Sequence, residues 1–382
     1  MNALDAQKFY YKHRAGDRYR ILSTVSQDVF INRRLSHRSE IINRIAVEIT
    51  SAAGSTGDYK AIFQTAEKVS SGYNLFEWSR EYLSHFSRNH LGYIIIDDEY
   101  FMPMVRDAPV FPDMELLPGE TWRADGCEVH DFRDSFGIEK PFIIPFTADY
   151  KFLGTRKWKG KDYPAFSVSY MISHEFPAAR GIQPGRIQGS SDQIVYWDSG
   201  MGQAAAYEET FRMILYLSNG TVAEFRGRAE AEIIEAPVMD KQIIAEEIRE
   251  HIKQMDIQGT SVRIEDDGVT ISLENIQFLP DSAILRNDEK LKLDKIIEIL
   301  RNYPERDIQV SGHTALAGTM EGRDQLSLER AAGVARYLLE KNLREEDRLI
   351  IMGYGAERPL ADNDTEQGRE RNRRVEITIL EN

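Results

Sequence analysis

The chain has one cysteine, Cys127, among 382 residues, so an intramolecular disulfide is impossible. Thiol usage therefore neither requires nor excludes an oxidising compartment. Long apolar runs are missing too, and none approaches the roughly 20 residues that carry a helix across a bilayer. The opening residues, Met1-Asn2-Ala3-Leu4-Asp5, lack the charged and apolar regions of a signal peptide. Positive charge is in deficit, with 48 lysines and arginines against 62 acids and a net charge of −14. Nucleic-acid binders present a basic face, so nucleic acid is not an expected partner. An acidic surface favours solubility and decides little else. No internal repeat or low-complexity tract is visible.

Apolar residues are plentiful, at 42% with 10% aromatics, enough for a large core. The length favours two or three domains. Residues 1–236 read mostly as strands. The stretch 18–25 alternates polar with apolar, the period of a half-buried strand. Weaker strand signals cover 9–13, 59–63, 92–96 and 164–170. Residues 211–217 and 222–225 flank Asn219-Gly220, which suits a type I′ hairpin turn. The expectation is a β-rich barrel or sandwich, with a possible internal break at the proline-rich 103–118. A helix over 240–255 places Ile244, Ile248, Ile252 and Met255 on one face, the pattern of a connector over 237–258.

From residue 259 a last domain is expected, in which strands alternate with helices from Val269 onward. Strands are predicted over 269–276, 307–310, 349–352 and 375–380. Leu293, Ile296, Ile297 and Leu300 form one apolar stripe, and Ala331, Val334, Ala335 and Leu338 another, with Ser327 as its N-cap. This is an α+β sandwich with helices on one sheet face.

Three groups of residues recur here in a fixed order. The first is Ile276, Phe278, Ser282 and Leu285. The second is Gly312-His313-Thr314, Gly318, Leu326-Ser327, Arg330-Ala331 and Val334. The third is Gly353-Tyr354-Gly355, Pro359, Asn363, Gly368-Arg369 and Asn372-Arg373-Arg374. Together they resemble the OmpA-like domain, a family that binds the peptidoglycan of double-membraned bacteria. The resemblance covers 269–382, a little under a third of the chain. It implies a place in the periplasm or at the outer membrane. A native export signal is then expected outside this sequence. Any lipid anchor is expected upstream as well, because Cys127 lies too deep to be a lipidated N-terminal residue.

The resemblance also implies a pocket that reads diaminopimelate, with Thr314, Ala315, Arg323, Leu326, Ser327, Arg330, Asn372 and Arg373 at its positions. In the family an aspartate after the Gly-His-Thr turn takes the ligand's ammonium, and an arginine on the next helix takes its carboxylate. Arg330 matches that arginine, whose planar fork fits a carboxylate in a way lysine cannot copy. Ala315 stands where the aspartate belongs, and Arg323 where the family usually has asparagine. A charge-assisted hydrogen bond contributes roughly 1.5–3 kcal/mol, on the order of 10- to 150-fold in affinity. Losing the acid also leaves the ligand ammonium desolvated without a partner. Glu321 and Asp324 are the nearest acids that could replace it. The expectation is that wall stem-peptide binding is weak or absent, or that the pocket favours a more anionic ligand. The competing reading is that these residues hold the fold, with Arg330 in a structural ion pair and Asn372, Arg373 and Arg374 pinning the last strand.

Elsewhere, His130-Asp131 is the densest polar cluster, but neighbours on a strand point to opposite faces. His85 and His90 are spaced for neither a helix nor a strand face. Asp198-Ser199-Gly200-Met201-Gly202 lacks the third glycine and the βαβ context of a phosphate loop. Cys127 has no matched histidine to activate it. Trp78, Trp122, Trp158 and Trp197 suit a core or a rim better than a carbohydrate groove. No catalytic set, metal or cofactor is expected. An envelope protein or a glycan is the expected partner of residues 1–236, and a purely structural scaffold without wall binding is the alternative.

Overall fold

The computed structural model describes residues 6–70, 72–177, 180–235, 239–274, 276, 278 and 285–381. The chain divides into two compact units: Met1–Thr65 with Arg80–Ala236, and Ala66–Ser79 with Pro237–Asn382.

The first unit contains β1 (Arg18–Ile31), β2 (Arg34–Ala53), most of β3 (Thr56–Val69) and of β4 (Phe76–Asn89), β5 (Ile94–Ile96), β6 (Val105–Arg106) and β7 (Thr121–His130). After the short helix α1 (Arg133–Phe136) come β8 (Phe142–Trp158), β9 (Lys161–Glu175), β10 (Pro184–Asp198), β11 (Gln203–Leu217) and β12 (Val222–Glu235). The ladder runs β2-β1-β12-β11-β10-β9-β8-β7-β6, antiparallel throughout. β5 pairs with β4. Thr65 on β3 donates to Asn43 on β2 at 2.9 Å, and Ser87 on β4 to Asp58 on β3 at 2.6 Å. This is a large sheet and not the closed barrel that was one expectation.

Period-2 alternation makes these strands. Along β8, Ile144, Phe146, Ala148, Tyr150 and Phe152 are buried and the alternating Pro145, Thr147, Asp149 and Lys151 are exposed. The inward set joins Phe9, Phe111, Phe166 and Trp197, whose rings meet at 4.8–6.3 Å, mostly edge to face. Residues 9–13, expected as a strand, are not one. They cross the core outside any ladder, with Tyr11 N–H donating to His90 and Lys12 N–H to Gly202. The Asn219-Gly220 hairpin forms, but only Gly220 there takes a positive φ, +85°. The Gly220 N–H donates to the Leu217 carbonyl, and Leu217 pairs with Thr221. The loop is thus three residues long with its last residue left-handed, instead of type I′. Residues 103–118 lie inside the first unit.

The second unit contains α2 (Lys241–Gln254), β13 (Thr260–Glu265), β14 (Gly268–Glu274), α3 (Asn287–Leu300), β15 (Ile308–His313), α4 (Met320–Glu340), a 3₁₀ turn at Glu346–Arg348, β16 (Leu349–Gly353), α5 (Glu366–Asn372) and β17 (Arg374–Leu380). Its sheet runs β13-β14-β17-β15-β16, with β15 and β16 parallel. Beyond β16 the sheet gains Phe76 and Glu77 of β4, paired parallel with Ile350 and Ile351. One sheet face is apolar: Ile271, Leu273, Val310, Ile377 and Ile379 pack against Ile248 of α2, Leu293 and Ile296 of α3, and Val334 and Leu338 of α4. The other face carries buried polar residues, including Thr270, Ser272, Gln309, Ser311, Glu376 and Thr378. β13 was not expected, because its alternation is short and weak. Ser327 does not cap a helix: α4 starts eight residues earlier than expected, with Thr319 as the capping residue. Ser282 of the first motif lies outside the described residues. No helix among the described residues is long and apolar enough to cross a membrane, which says nothing of strands.

Candidate functional site

The site is built where β15, β16, α4 and the loop before α5 meet. β15 ends in Gly312-His313, and the next turn carries Thr314 and Ala315. Thr314 N–H donates to the Gly355 carbonyl at 2.7 Å, and Tyr354 N–H to the Gly312 carbonyl at 3.0 Å, which locks the two strand ends together. A Cβ on Gly312 would overlap the Ser327 carbonyl, so only glycine lets α4 approach β15 this closely. Ser327 is fully buried. Its hydroxyl donates to the Asp324 carbonyl at 2.8 Å and accepts from Gly355 N–H at 2.9 Å. Ser327 is therefore a clamp between helix and strand. Leu326 beside it is half-buried on α4.

Asn372 is fully buried. Its oxygen accepts from the amides of Leu360 and Ala361 at 2.7 and 3.0 Å. Its nitrogen donates to the Ala361 carbonyl at 2.8 Å and to Asn363 Oδ1 at 3.0 Å. Asn363 Oδ1 in turn accepts from Leu316 N–H at 3.0 Å. The turn that holds Ala315 is thus tied to the 360–363 loop by two side-chain amides. Arg369 and Arg373 both bind Glu366, at 2.7 and 2.9 Å.

Arg323 and Arg330 are seven residues apart on α4, two turns along one face. Arg323 donates to the Gly318 carbonyl at 2.7 Å, and its Nε has no partner. The Arg330 guanidinium lies 5.5 Å from the Phe278 ring centroid, and its Nε is buried without a partner. No described acid forms an ion pair with Arg330. Burial, then the Arg373 charge, push its pKa down from the usual arginine value. The Thr314 hydroxyl is buried and unpartnered as well, and the Ala315 methyl is buried. Glu321 and Asp324 line a separate recess of about 500 Å³ with Glu77, Met320, Gln325, Leu328 and Gly353. Among the described residues, the pocket positions thus hold a cation without an ion-paired acid and a hydroxyl without a hydrogen-bond partner.

Behind the pocket, His313 Nε2 lies 3.2 Å from Glu376, poorly aligned for a hydrogen bond, and its ring stacks on Tyr354 at 5.2 Å. Glu376 also receives Arg374 at 2.6 Å and Arg263 at 2.5 Å. Burial works to raise the Glu376 carboxyl. The His313 contact and the Arg374 charge outweigh it and hold the group well below the usual carboxylate range. Burial lowers His313 despite its acid neighbour. Sequence reasoning reached Arg374 and the adjoining Val375-Glu376 but missed Arg263, which lies 113 positions from Glu376 and carries no local motif.

Residues 277–373 match the model of the OmpA family. The C-terminal part of this chain is an OmpA-family domain. The probable lipoprotein YiaD of Escherichia coli K12 is 32% identical over 126 residues, which covers 32% of this chain and 57% of YiaD. Outer membrane porin F of Pseudomonas fluorescens is 31% identical over 105 residues, 28% of this chain and 32% of the porin. Outer membrane protein Omp38 of Acinetobacter baumannii is 35% identical over 102 residues, 27% of this chain and 29% of Omp38. The chain therefore spans less than two thirds of the length of these curated relatives. Among solved structures, the cell wall anchor of the T6SS from Pseudomonas aeruginosa aligns with 28% identity and a TM-score of 0.31, covering 34% of this chain and 94% of that one.

The remaining sequence candidates resolve into local structure. His130 Nε2 sits 2.7 Å from Glu128, which accepts from the Tyr170 hydroxyl at 2.9 Å, while Asp131 binds Arg133. The His130 partner is thus two residues away on the same strand face, and not Asp131. The His85 ring packs 5.6 Å from Tyr100. His90 keeps a buried Nδ1 without a partner. Asp198 caps its own turn, accepting from Gly200 and Met201 N–H at 2.8 and 2.9 Å. Burial pushes the half-buried Cys127 thiol up, away from a reactive thiolate. Trp197 is core, Trp122 stacks on Tyr150 at 4.9 Å, Trp158 packs on Tyr196 at 5.0 Å, and Trp78 is half-buried. Among the described residues no group of three or more His, Cys, Asp or Glu is placed to hold a metal.

Proposed function

We propose that this is a binding protein of the cell envelope, in the periplasm or at the outer membrane, and not an enzyme. Its OmpA-family domain keeps the carboxylate half of the family pocket and has lost the ammonium half. The observation that carries this reading is Arg330: a half-buried guanidinium with no acid partner among the described residues, on a helix whose neighbouring turn offers Ala315 instead of a carboxylate. A cation held in that way favours a ligand that brings its own negative charge. It gives an incoming ammonium nothing to bind. Binding of a meso-diaminopimelate stem peptide is therefore weak or absent, and a more anionic ligand is preferred.

Arg323 supports the same reading, since it adds a cation on the Arg330 face of α4. Residues 1–236 meet an envelope protein or a glycan. The alternative reading, a scaffold that binds no wall fragment, draws on the hydrogen bonds by which Ser327 and Asn372 hold the fold. A third reading, a working wall anchor with a replaced acid, would need Glu321 or Asp324 to leave the recess they line.

The test is a calorimetric titration of the full chain with a meso-diaminopimelate muropeptide, beside the double variant Ala315→Asp, Arg323→Asn. We expect measurable binding by the double variant and at least tenfold weaker binding by the unaltered chain. Equal affinity of the two would show that another acid replaces the aspartate and would overturn the reading.

A further inference from the structure

The edge of the OmpA-family sheet is not bare. β16 has β15 on one side, and on the other Phe76 and Glu77, which come from more than 270 positions earlier in the sequence. The stretch Ala66–Ser79 belongs by its contacts to the second unit, although the chain on both sides of it belongs to the first. Leu75 is 4% exposed and lies in the second unit's apolar core, with Tyr73 packed against it. Phe76 is 3% exposed. Lys68 forms an ion pair with Glu346 at 3.2 Å, just before β16, and lies 5.1 Å from the Phe76 ring. The Tyr73 hydroxyl accepts from Gln325 on α4 at 2.6 Å.

We propose that residues 66–79 are a strand donor built into the chain. They complete the edge of the OmpA-family sheet and brace the first turns of α4, the helix that carries Arg323 and Arg330. An uncovered edge strand presents unpaired N–H and C=O groups and invites pairing with another chain. Strand addition satisfies those groups through main-chain bonds, and side-chain anchors select the partner. Leu75 is the apolar anchor here, the Lys68–Glu346 pair fixes the register, and Tyr73 reaches the helix. The chain consequently passes between the two units three times, at 65/66, 79/80 and 236/237. This inference holds whatever ligand the pocket takes.

Hydrogen exchange followed by mass spectrometry on the full chain tests it. Leu75→Asp places a charge in the anchor position, and we expect exchange of the 349–353 amides to rise at least tenfold. The 320–327 segment of α4 should loosen with it, while β7–β12 stay unchanged. Lys68→Glu should raise exchange in β16 by about threefold, the effect of one partly buried ion pair. Adding Glu346→Lys should reverse that rise, a rescue that simple surface damage cannot produce. Should Leu75→Asp open every strand of the unit, the charge swap decides alone. Indifference of β16 to Lys68→Glu, or failure of the swap to restore protection, overturns the proposal.

Discussion

Asn372 holds Asn363 through its side-chain amide at 3.0 Å, and the same Asn363 oxygen receives the Leu316 amide hydrogen at 3.0 Å. Two asparagines thereby carry the position of the Ala315 turn across to the loop before α5. Asn372→Ala removes four hydrogen bonds in a fully buried setting, each contributing roughly 0.5–1.5 kcal/mol net. We expect a loss of about 2–4 kcal/mol in urea unfolding, and a smaller loss, about 1–2 kcal/mol, for Asn363→Ala. An Asn372→Ala variant as stable as the parent would mean that the amide relay does not hold the turn.

Glu376 gives a pH signature. Its folded-state pKa lies below the unfolded carboxylate value of about 4.3. Its stabilisation is therefore fully present above that value and is lost as pH falls toward the folded pKa. Glu376→Gln leaves Arg374, itself 2% exposed, without its carboxylate. Breaking a buried pair in this way costs roughly 3–5 kcal/mol. Hydrogen exchange on β14 and β17 should show that difference unchanged between neutral pH and about pH 5, then shrinking in stronger acid. A difference that grew on acidification would contradict the assignment.

Two glycines in one turn region separate close approach from backbone conformation. Gly312 has the Ser327 carbonyl where a Cβ would go, whereas Gly318 has open space but a φ of +78°. Gly312→Ala must push α4 off β15 and is expected to cost about 3 kcal/mol or more. Gly318→Ala strains only its own backbone, at about 1 kcal/mol. Thermal unfolding that ranked them the other way would put the helix–strand contact in doubt.

Much of the second unit was legible because its signals are local. The stripes at Leu293–Leu300 and Ala331–Leu338 have helical period, and the glycine and asparagine motifs stand at fixed spacing. The start of α4 was misplaced because Ser327 looks like a capping residue while serving as a buried clamp between Asp324 and Gly355. In the first unit β1, parts of β3, β5 and β9, and the β11–β12 hairpin were legible, whereas residues 9–13 were misread as a strand and β2, β4, β7, β8, β10 and the open form of the sheet were not read. Alternation fixes which face is buried, and says nothing of whether a ladder returns on itself. The Phe76–Ile350 pairing was invisible for a related reason. A two-residue parallel bridge between positions 76 and 350 leaves no periodicity, and Leu75-Phe76 reads like the start of any strand.

The sharpest contrast lies between two arginines of the same unit. Arg374 is 2% exposed and binds Glu376 at 2.6 Å, the Arg358 carbonyl at 2.9 Å and the Asn372 carbonyl at 3.5 Å. Arg330 is half-buried, has no acid partner among the described residues, and has an unpartnered Nε. An arginine kept for the fold should be costly to replace, and one kept for a ligand should not. Arg374→Leu is expected to lose roughly 3 kcal/mol, because a buried carboxylate loses one of its two arginines and keeps only Arg263. Arg330→Leu removes a desolvated charge that no described acid compensates, so stability should hold or rise by up to about 1 kcal/mol. Urea unfolding of both variants, without added ligand, checks the pair. Equal losses would make Arg330 a structural residue and favour the scaffold reading. A stable Arg330→Leu protein beside a crippled Arg374→Leu one would leave ligand binding as the reason for the cation.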